Sequence, residues 1–280
     1  MYKILYNKAL NSNSFEMAVE APNVVNKCMP GQFVIVMAKE DSERIPLTIY
    51  DYDNDKKILY LIYQIVGAST LELSKLKNEL FSVSGPLGNA NEICANPIEF
   101  KDKRIVYVAG GVGIAPVYPQ VKYLKEKGIK VDVIYGARNK ELLLIMDKIE
   151  SVANKVYYVT DDGSFGDAGF VTNVLEKNIS NYDICVAIGP VIMMKNVALL
   201  TKKYNIKTIV SMNPLMVDGS GMCGACRCKV DGETKFACTH GPEFDGHKID
   251  FDLVMKRLGT YKEEEKEKME MMDNLLKGDK

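Results

Sequence analysis

The 280-residue sequence has no surplus of positive charge: 36 Lys and Arg stand against 37 Asp and Glu, a formal net charge of −1. Without that surplus no field draws in nucleic acid or an anionic membrane, and both drop out as partners. Long hydrophobic runs are also missing. No stretch approaches the roughly 18 apolar residues that a membrane helix needs. The opening, Met1-Tyr-Lys-Ile-Leu-Tyr-Asn-Lys, alternates as a strand does and lacks the apolar core and small-residue cleavage site of a secretion signal. The expected location is therefore cytoplasmic. No internal repeat is present, and the glycine turn at 110–113 does not have the dinucleotide fingerprint form G-x-G-x-x-G. A disulfide scaffold is excluded by how the seven cysteines are distributed. Cys28, Cys94 and Cys185 are scattered, whereas Cys223, Cys226, Cys228 and Cys238 crowd together. In a cytosolic chain of this length, clustered thiols point to a metal or an iron–sulfur cluster.

Hydrophobic residues make up 47% and charged residues 26%, enough apolar material for two cores. Residues 1–98 read as short strands at Tyr2–Ala9, Phe15–Glu20, Gln32–Met37, Leu47–Tyr52 and Ile58–Val66, parted by turns such as Met29-Pro30-Gly31. That spacing predicts a small β-barrel, interrupted by one helix from Ala68 through Leu76. Residues 99–212 alternate strand and helix. Strands are expected at Arg104–Ala109, Val131–Tyr135, Val156–Thr160, Ile184–Ile188 and Thr208–Met212. Helices are expected at Pro116–Glu126, Glu141–Ile149, Phe170–Leu175 and Val191–Tyr204. This is the pattern of a doubly wound parallel α/β sheet. Residues 213–250 are glycine- and cysteine-rich and too few for a core of their own. Residues 251–280 form a charged helical tail, in which Met269, Met272 and Leu276 make a stripe.

Three motifs could carry chemistry. Ala109-Gly110-Gly111-Val112-Gly113-Ile114-Ala115-Pro116 lies between a buried strand and a helix. Glycines there admit a phosphate to the backbone, and the helix start offers free N–H groups. Gly189-Pro190 repeats the arrangement before Met193. In the barrel, Arg44-Ile45-Pro46-Leu47-Thr48 and Gly67-Ala68-Ser69-Thr70 could hold a second phosphate ligand, although Arg and Thr on strands are commonly plain surface. The third motif is Asp218-x₄-Cys223-x₂-Cys226 followed by Cys238. The plant-type 2Fe-2S spacing is C-x₄-C-x₂-C with a distant fourth cysteine, so a carboxylate stands at the first position. Cys228 competes as the fourth ligand, and a structural zinc knuckle competes as the whole reading.

The order of these motifs resembles the ferredoxin–NADP reductase-like flavoproteins. Within them the sequence is similar to the electron-transfer subunits of type B dihydroorotate dehydrogenase. It is more similar still to the small subunit of NADH-dependent reduced ferredoxin:NADP oxidoreductase, also described as a sulfide dehydrogenase subunit. The stretches 160–172 and 238–246 resemble that last group, and the likeness spans residues 1–258. It implies an FAD-binding barrel, an NAD(H)-binding domain and a C-terminal 2Fe-2S segment. By the same resemblance, Arg44, Pro46, Leu47 and Thr48 hold FAD, and Gly67, Ser69 and Thr70 meet its pyrophosphate. Gly110, Gly111, Gly113 and Pro116 form the nicotinamide-nucleotide turn, with Gly189, Pro190 and Met193 opposite and Asp161, Asp162 and Gly163 in the same cleft. Asp218, Cys223, Cys226 and Cys238 bind the cluster.

Two residues depart from the relatives' pattern. Ile188 replaces the cysteine that many relatives place before Gly-Pro, which leaves hydride transfer to positioning. Asp218 replaces the first of the four cysteines of the dihydroorotate dehydrogenase subunits, which favours the ferredoxin:NADP oxidoreductase group. The implied partner is a larger flavin/iron–sulfur subunit of the glutamate synthase-like kind, in an electron-bifurcating complex. The alternatives are a dihydroorotate dehydrogenase electron-transfer subunit and, in another class, a zinc-stabilised binding protein without enzymatic activity.

Overall fold

The structure is a computed structural model that describes the backbone of residues 1–278 and the side chains as far as Met271. Met272 and Leu276 of the tail stripe thus lie outside the described side chains. Seven strands open the chain: β1 (Tyr2–Ala9), β2 (Ser14–Glu20), β3 (Phe33–Met37), β4 (Ile45–Asp53), β5 (Ile58–Gln64), β6 (Glu79–Leu80) and β7 (Ser82–Leu87). They pair antiparallel in the order β6-β1-β2-β5-β4-β3-β7. The two edge strands, β6 and β7, are separated in the chain by Phe81 alone, so the sheet must curl until its edges meet. Val34, Val36, Leu59 and Leu61 point into the barrel and are fully enclosed, while Phe33 and Ile35 of β3 are buried on its other face.

The second sheet uses β8 (Ile105–Gly110), β9 (Val131–Ala137), β10 (Lys155–Thr160), β11 (Asp167–Ala168), β12 (Ile184–Ile188) and β13 (Lys207–Ser211). These strands run parallel in the order β11-β10-β9-β8-β12-β13. Every residue of β8 and β12 is buried, because helices cover both faces and leave no polar side to alternate toward. The strand order reverses between β8 and β12. That switch point leaves a crevice beyond the strands' C-terminal ends.

Three features differ from expectation. The helix expected over Glu141–Ile149 is split: Asn139 caps a tight turn at Lys140–Leu142, and the helix begins at Met146 after Ile145 adopts a left-handed φ of 48°. The short strands β6 and β7 were not among the strands expected for the barrel. The cysteine-rich segment forms a hairpin, β14 (Arg227–Val230) with β15 (Glu233–Phe236), and then β16 (Glu243–Asp245). β16 joins the second sheet antiparallel to β13. Cys226, Cys228 and Cys238 share one core with Val108, Ala187 and Phe251, so the segment folds onto the nucleotide sheet instead of standing apart.

Candidate functional site

A cleft of about 1270 Å³ lies at the switch point, between the barrel and the C-terminal ends of β8 and β12. Pro46, Leu47 and Thr48 of β4 form one wall. Gly110, Gly111, Gly113 and Pro116 line it from the first glycine turn, and Gly189, Pro190 and Met193 from the second. Thr70, Asp161 and Arg138 also line it. The two turns are pressed together backbone to backbone. A Cβ on Gly113 would sit 2.3 Å from the carbonyl oxygen of Ile188, and one on Gly110 would sit 2.6 Å from the sulfur of Met193. Gly111 is different: the space beside it is open, but its φ of 54° needs glycine.

Arg44, Gly67, Ser69, Asp162 and Gly163 are not on the cleft wall. The Ser69 hydroxyl donates to Glu43, which also accepts from Lys268. The Gly67 N–H donates to Thr70 Oγ1 at 3.2 Å, closing the start of the Ala68–Lys75 helix. Asp162 accepts the Ser164 N–H at 2.9 Å, and the Ser164 hydroxyl together with this N–H holds its carboxyl below the usual range. Arg44 turns toward residues 217 and 218.

The cysteine loop packs against the barrel. A Cβ on Gly219 would come 2.6 Å from Leu87 and 2.8 Å from Ile35, so only glycine admits this approach. Asp218 Oδ2 accepts the Cys223 N–H at 2.8 Å and Oδ1 accepts the Ser220 N–H at 2.7 Å. These bonds lower its carboxyl pKa. The sulfurs of Cys226 and Cys238 are 3.1 Å apart, and Cys223 is exposed. Cys228 is buried, with its sulfur 3.7 Å from the carbonyl oxygen of Cys226, and burial pushes its thiol up to about 11. Among the described residues no three His, Cys, Asp or Glu side chains gather round a single ion. A donor set of one carboxylate and three thiols on a glycine-bent loop nevertheless fits the ligand chemistry of an iron–sulfur cluster.

Comparison with known proteins bears on both regions. Residues 213–250 match the iron–sulfur cluster binding domain of dihydroorotate dehydrogenase B, and residues 107–198 match the oxidoreductase NAD-binding domain. A homologue of the dihydroorotate dehydrogenase B (NAD(+)) electron transfer subunit from Thermotoga maritima is 43% identical, over 90% of this chain and 88% of its own length. The corresponding subunit from Clostridium acetobutylicum is 32% identical over 88% of this chain and 95% of its own. The chain belongs to the family of dihydroorotate dehydrogenase B electron-transfer subunits and their homologues. A solved structure from work on electron bifurcation by NADH-dependent reduced ferredoxin–NADP oxidoreductase is 39% identical. It superposes with a TM-score of 0.89 over 97% of each chain. Ferredoxin–NADP+ reductase from Plasmodium falciparum, 16% identical with a TM-score of 0.57 over 74% of this chain and 94% of its own, shares the fold alone.

In this electron-transfer subunit homologue one polar cluster escaped sequence reasoning. Glu243 of β16 accepts the side-chain amides of Asn91 at 2.6 Å and of Gln120 at 3.0 Å. Gln120 lies on the helix Ile114–Glu126 that leaves the first glycine turn. Burial without a cationic partner pushes the Glu243 carboxyl up to about 7, and Glu92 adds to the rise. Among the described residues, the hydroxyl of Tyr107 and Oε1 of Gln120 are buried nearby without a hydrogen-bond partner. The three residues are up to 152 positions apart and share no periodicity that would flag them.

Proposed function

We propose that this chain is the NAD(H)-linked electron-transfer subunit of a larger oxidoreductase. In this reading FAD lies against Pro46, Leu47 and Thr48. NAD(H) docks over Gly110, Gly111, Gly113, Gly189 and Pro190, and a 2Fe-2S cluster is held by Asp218, Cys223, Cys226 and Cys238. The observation that carries the reading is the common cleft, whose walls are the barrel strand β4 and both glycine turns. FAD and the cluster together supply the conversion between two-electron hydride chemistry and single-electron transfer.

The protein's own contribution is positioning. The packed glycine turns leave room for a nucleotide backbone, and the start of the Ile114–Glu126 helix presents N–H groups to a pyrophosphate. Ile188 is buried and offers no proton to the cleft, so the rate depends on how closely the reacting rings are held.

The finer reading is a subunit of an electron-bifurcating NADH-dependent ferredoxin:NADP oxidoreductase, with a larger flavin/iron–sulfur partner of the glutamate synthase-like kind. Support comes from Asp218 at the first ligand position and from the 39% identical structure that aligns end to end. The second reading, an electron-transfer subunit of type B dihydroorotate dehydrogenase, is favoured by the relatives' assignments. Co-purification separates them: a twin-flavin partner supports the first, a TIM-barrel dehydrogenase the second. Among the described residues no helix is long and apolar enough to cross a membrane. The cytoplasm remains the proposed location.

The test is the visible absorption spectrum of anaerobically purified protein before and after NADH. Flavin bands with a long-wavelength iron–sulfur shoulder, bleaching on NADH, are expected. A colourless protein that neither FAD nor iron and sulfide reconstitutes would overturn the proposal and return the cysteines to zinc.

A further inference from the structure

Two arginines from outside the cysteine loop hold its backbone. Arg44 immediately precedes β4. Its Nε donates to the carbonyl oxygen of Val217 at 2.9 Å and its Nη2 to that of Asp218 at 3.3 Å, while Nη1 lies 3.7 Å from the sulfur of Met37. Arg257, on the helix Phe251–Leu258, donates from Nη2 to the carbonyl oxygen of Ala225 at 3.0 Å. Two of the three nitrogens of Arg44 thus hold the loop, and the third rests against Met37 of β3. Neither arginine pairs with a carboxylate among the described residues. The carboxylate of Asp218 is taken by the N–H groups of Ser220 and Cys223.

We propose that Arg44 and Arg257 are positioning residues for the iron–sulfur cluster. They orient its ligand loop and raise its reduction potential. The inference rests on the cluster site proposed above and goes beyond it. A trans peptide unit points its N–H opposite to its C=O. Fixing the carbonyls of Val217, Asp218 and Ala225 therefore fixes the N–H groups of Asp218, Gly219 and Cys226, which belong to two ligands and the loop glycine between them. Oriented N–H groups and unneutralised positive charge beside a cluster both favour its more negative, reduced form. Arg44 also ties this loop to the strand that lines the cleft, beside the close packing of Gly219 on Leu87 and Ile35.

The test uses the full chain, purified anaerobically, with Arg44→Lys, Arg44→Gln and Arg257→Gln. Iron, sulfide and FAD contents are measured, together with the EPR spectrum of the reduced cluster and its midpoint potential. The expected result is a more negative potential and an altered EPR signal in both glutamine variants. Arg44→Lys should shift the EPR signal, since an ammonium cannot span two carbonyls as the guanidinium does. Wild-type signal and potential in both glutamine variants would overturn the inference. So would loss of FAD from Arg44→Gln with an unchanged cluster, which would return Arg44 to the flavin. If Arg44→Gln fails to fold, Arg257→Gln and Arg44→Lys decide the question. A wild-type chain without any cluster refutes the parent proposal instead, and this one with it.

Discussion

Replacing Glu243 by glutamine should stabilise the protein in alkaline solution and leave it unchanged in acid. The carboxyl sits between Asn91 and Gln120 with no cation against it, and its pKa rises from 4.5 to about 7. A group whose pKa is raised by folding contributes stability that is fully present below its unfolded value. That stability is lost as pH climbs through the folded value. The window here runs from 4.5 to about 7. At about 1.36 kcal/mol per unit the full shift would correspond to roughly 3 kcal/mol. Glu243 as a whole residue is only half-buried, so water at its edge reduces this to about 1–2 kcal/mol. Glutamine keeps the shape and one acceptor while removing the charge. The thermal midpoints of wild type and Glu243→Gln should coincide near about pH 4, below the window. At pH 8 the variant should melt roughly 2–8 °C higher, at about 2–4 °C per kcal/mol for a chain of this size. A difference in Tm that is the same at both pH values would refute the reasoning, because it would show that the carboxyl does not change its charge between them.

Gly113→Ala drives a methyl group into the Ile188 carbonyl, which lies 2.3 Å from the new Cβ. Prising the two glycine turns apart should cost about 1–3 kcal/mol and slow flavin reduction by NADH roughly 10–100-fold. Stopped-flow bleaching reads the rate, and FAD content should not change. Asp218→Ala should remove the cluster or alter its EPR signal while FAD stays bound; an unchanged signal would eliminate Asp218 as a ligand. Cys228→Ser should leave iron and sulfide content intact, because that sulfur is buried against the carbonyl of Cys226. Loss of the cluster in this variant would make Cys228 the fourth ligand.

The parts of this molecule that were legible in its sequence are those where one physical demand repeats along the chain. β8 and β12 announce themselves as continuous apolar runs because both of their faces are covered. The barrel strands are legible as short β-rich runs between turns; β3 does not alternate in burial, because Val34 and Val36 face one core and Phe33 and Ile35 the other. Glycine turns are legible because a backbone contact such as that between Gly113 and Ile188 tolerates nothing larger. What stayed hidden depends on contacts between distant residues. β6 has only two residues, too few to show a period. The break before Met146 comes from a single left-handed residue, Ile145, whose type gives no warning. In sequence, Arg44 reads as part of the flavin motif, whereas its side chain turns to carbonyls more than 170 positions later. The Asn91–Gln120–Glu243 cluster assembles from three separate elements and has no local signal at all.

The strand that finishes the nucleotide-binding sheet is made last. β16 covers the open flank of β13, yet its residues follow the entire cysteine loop in the chain. During synthesis the half-built sheet keeps a bare row of N–H and C=O groups until the loop has emerged and folded back. Such a flank is an adhesive surface for other unfinished chains. Closing this flank and bringing the thiols together therefore draw on one continuous stretch of chain, residues 223–245.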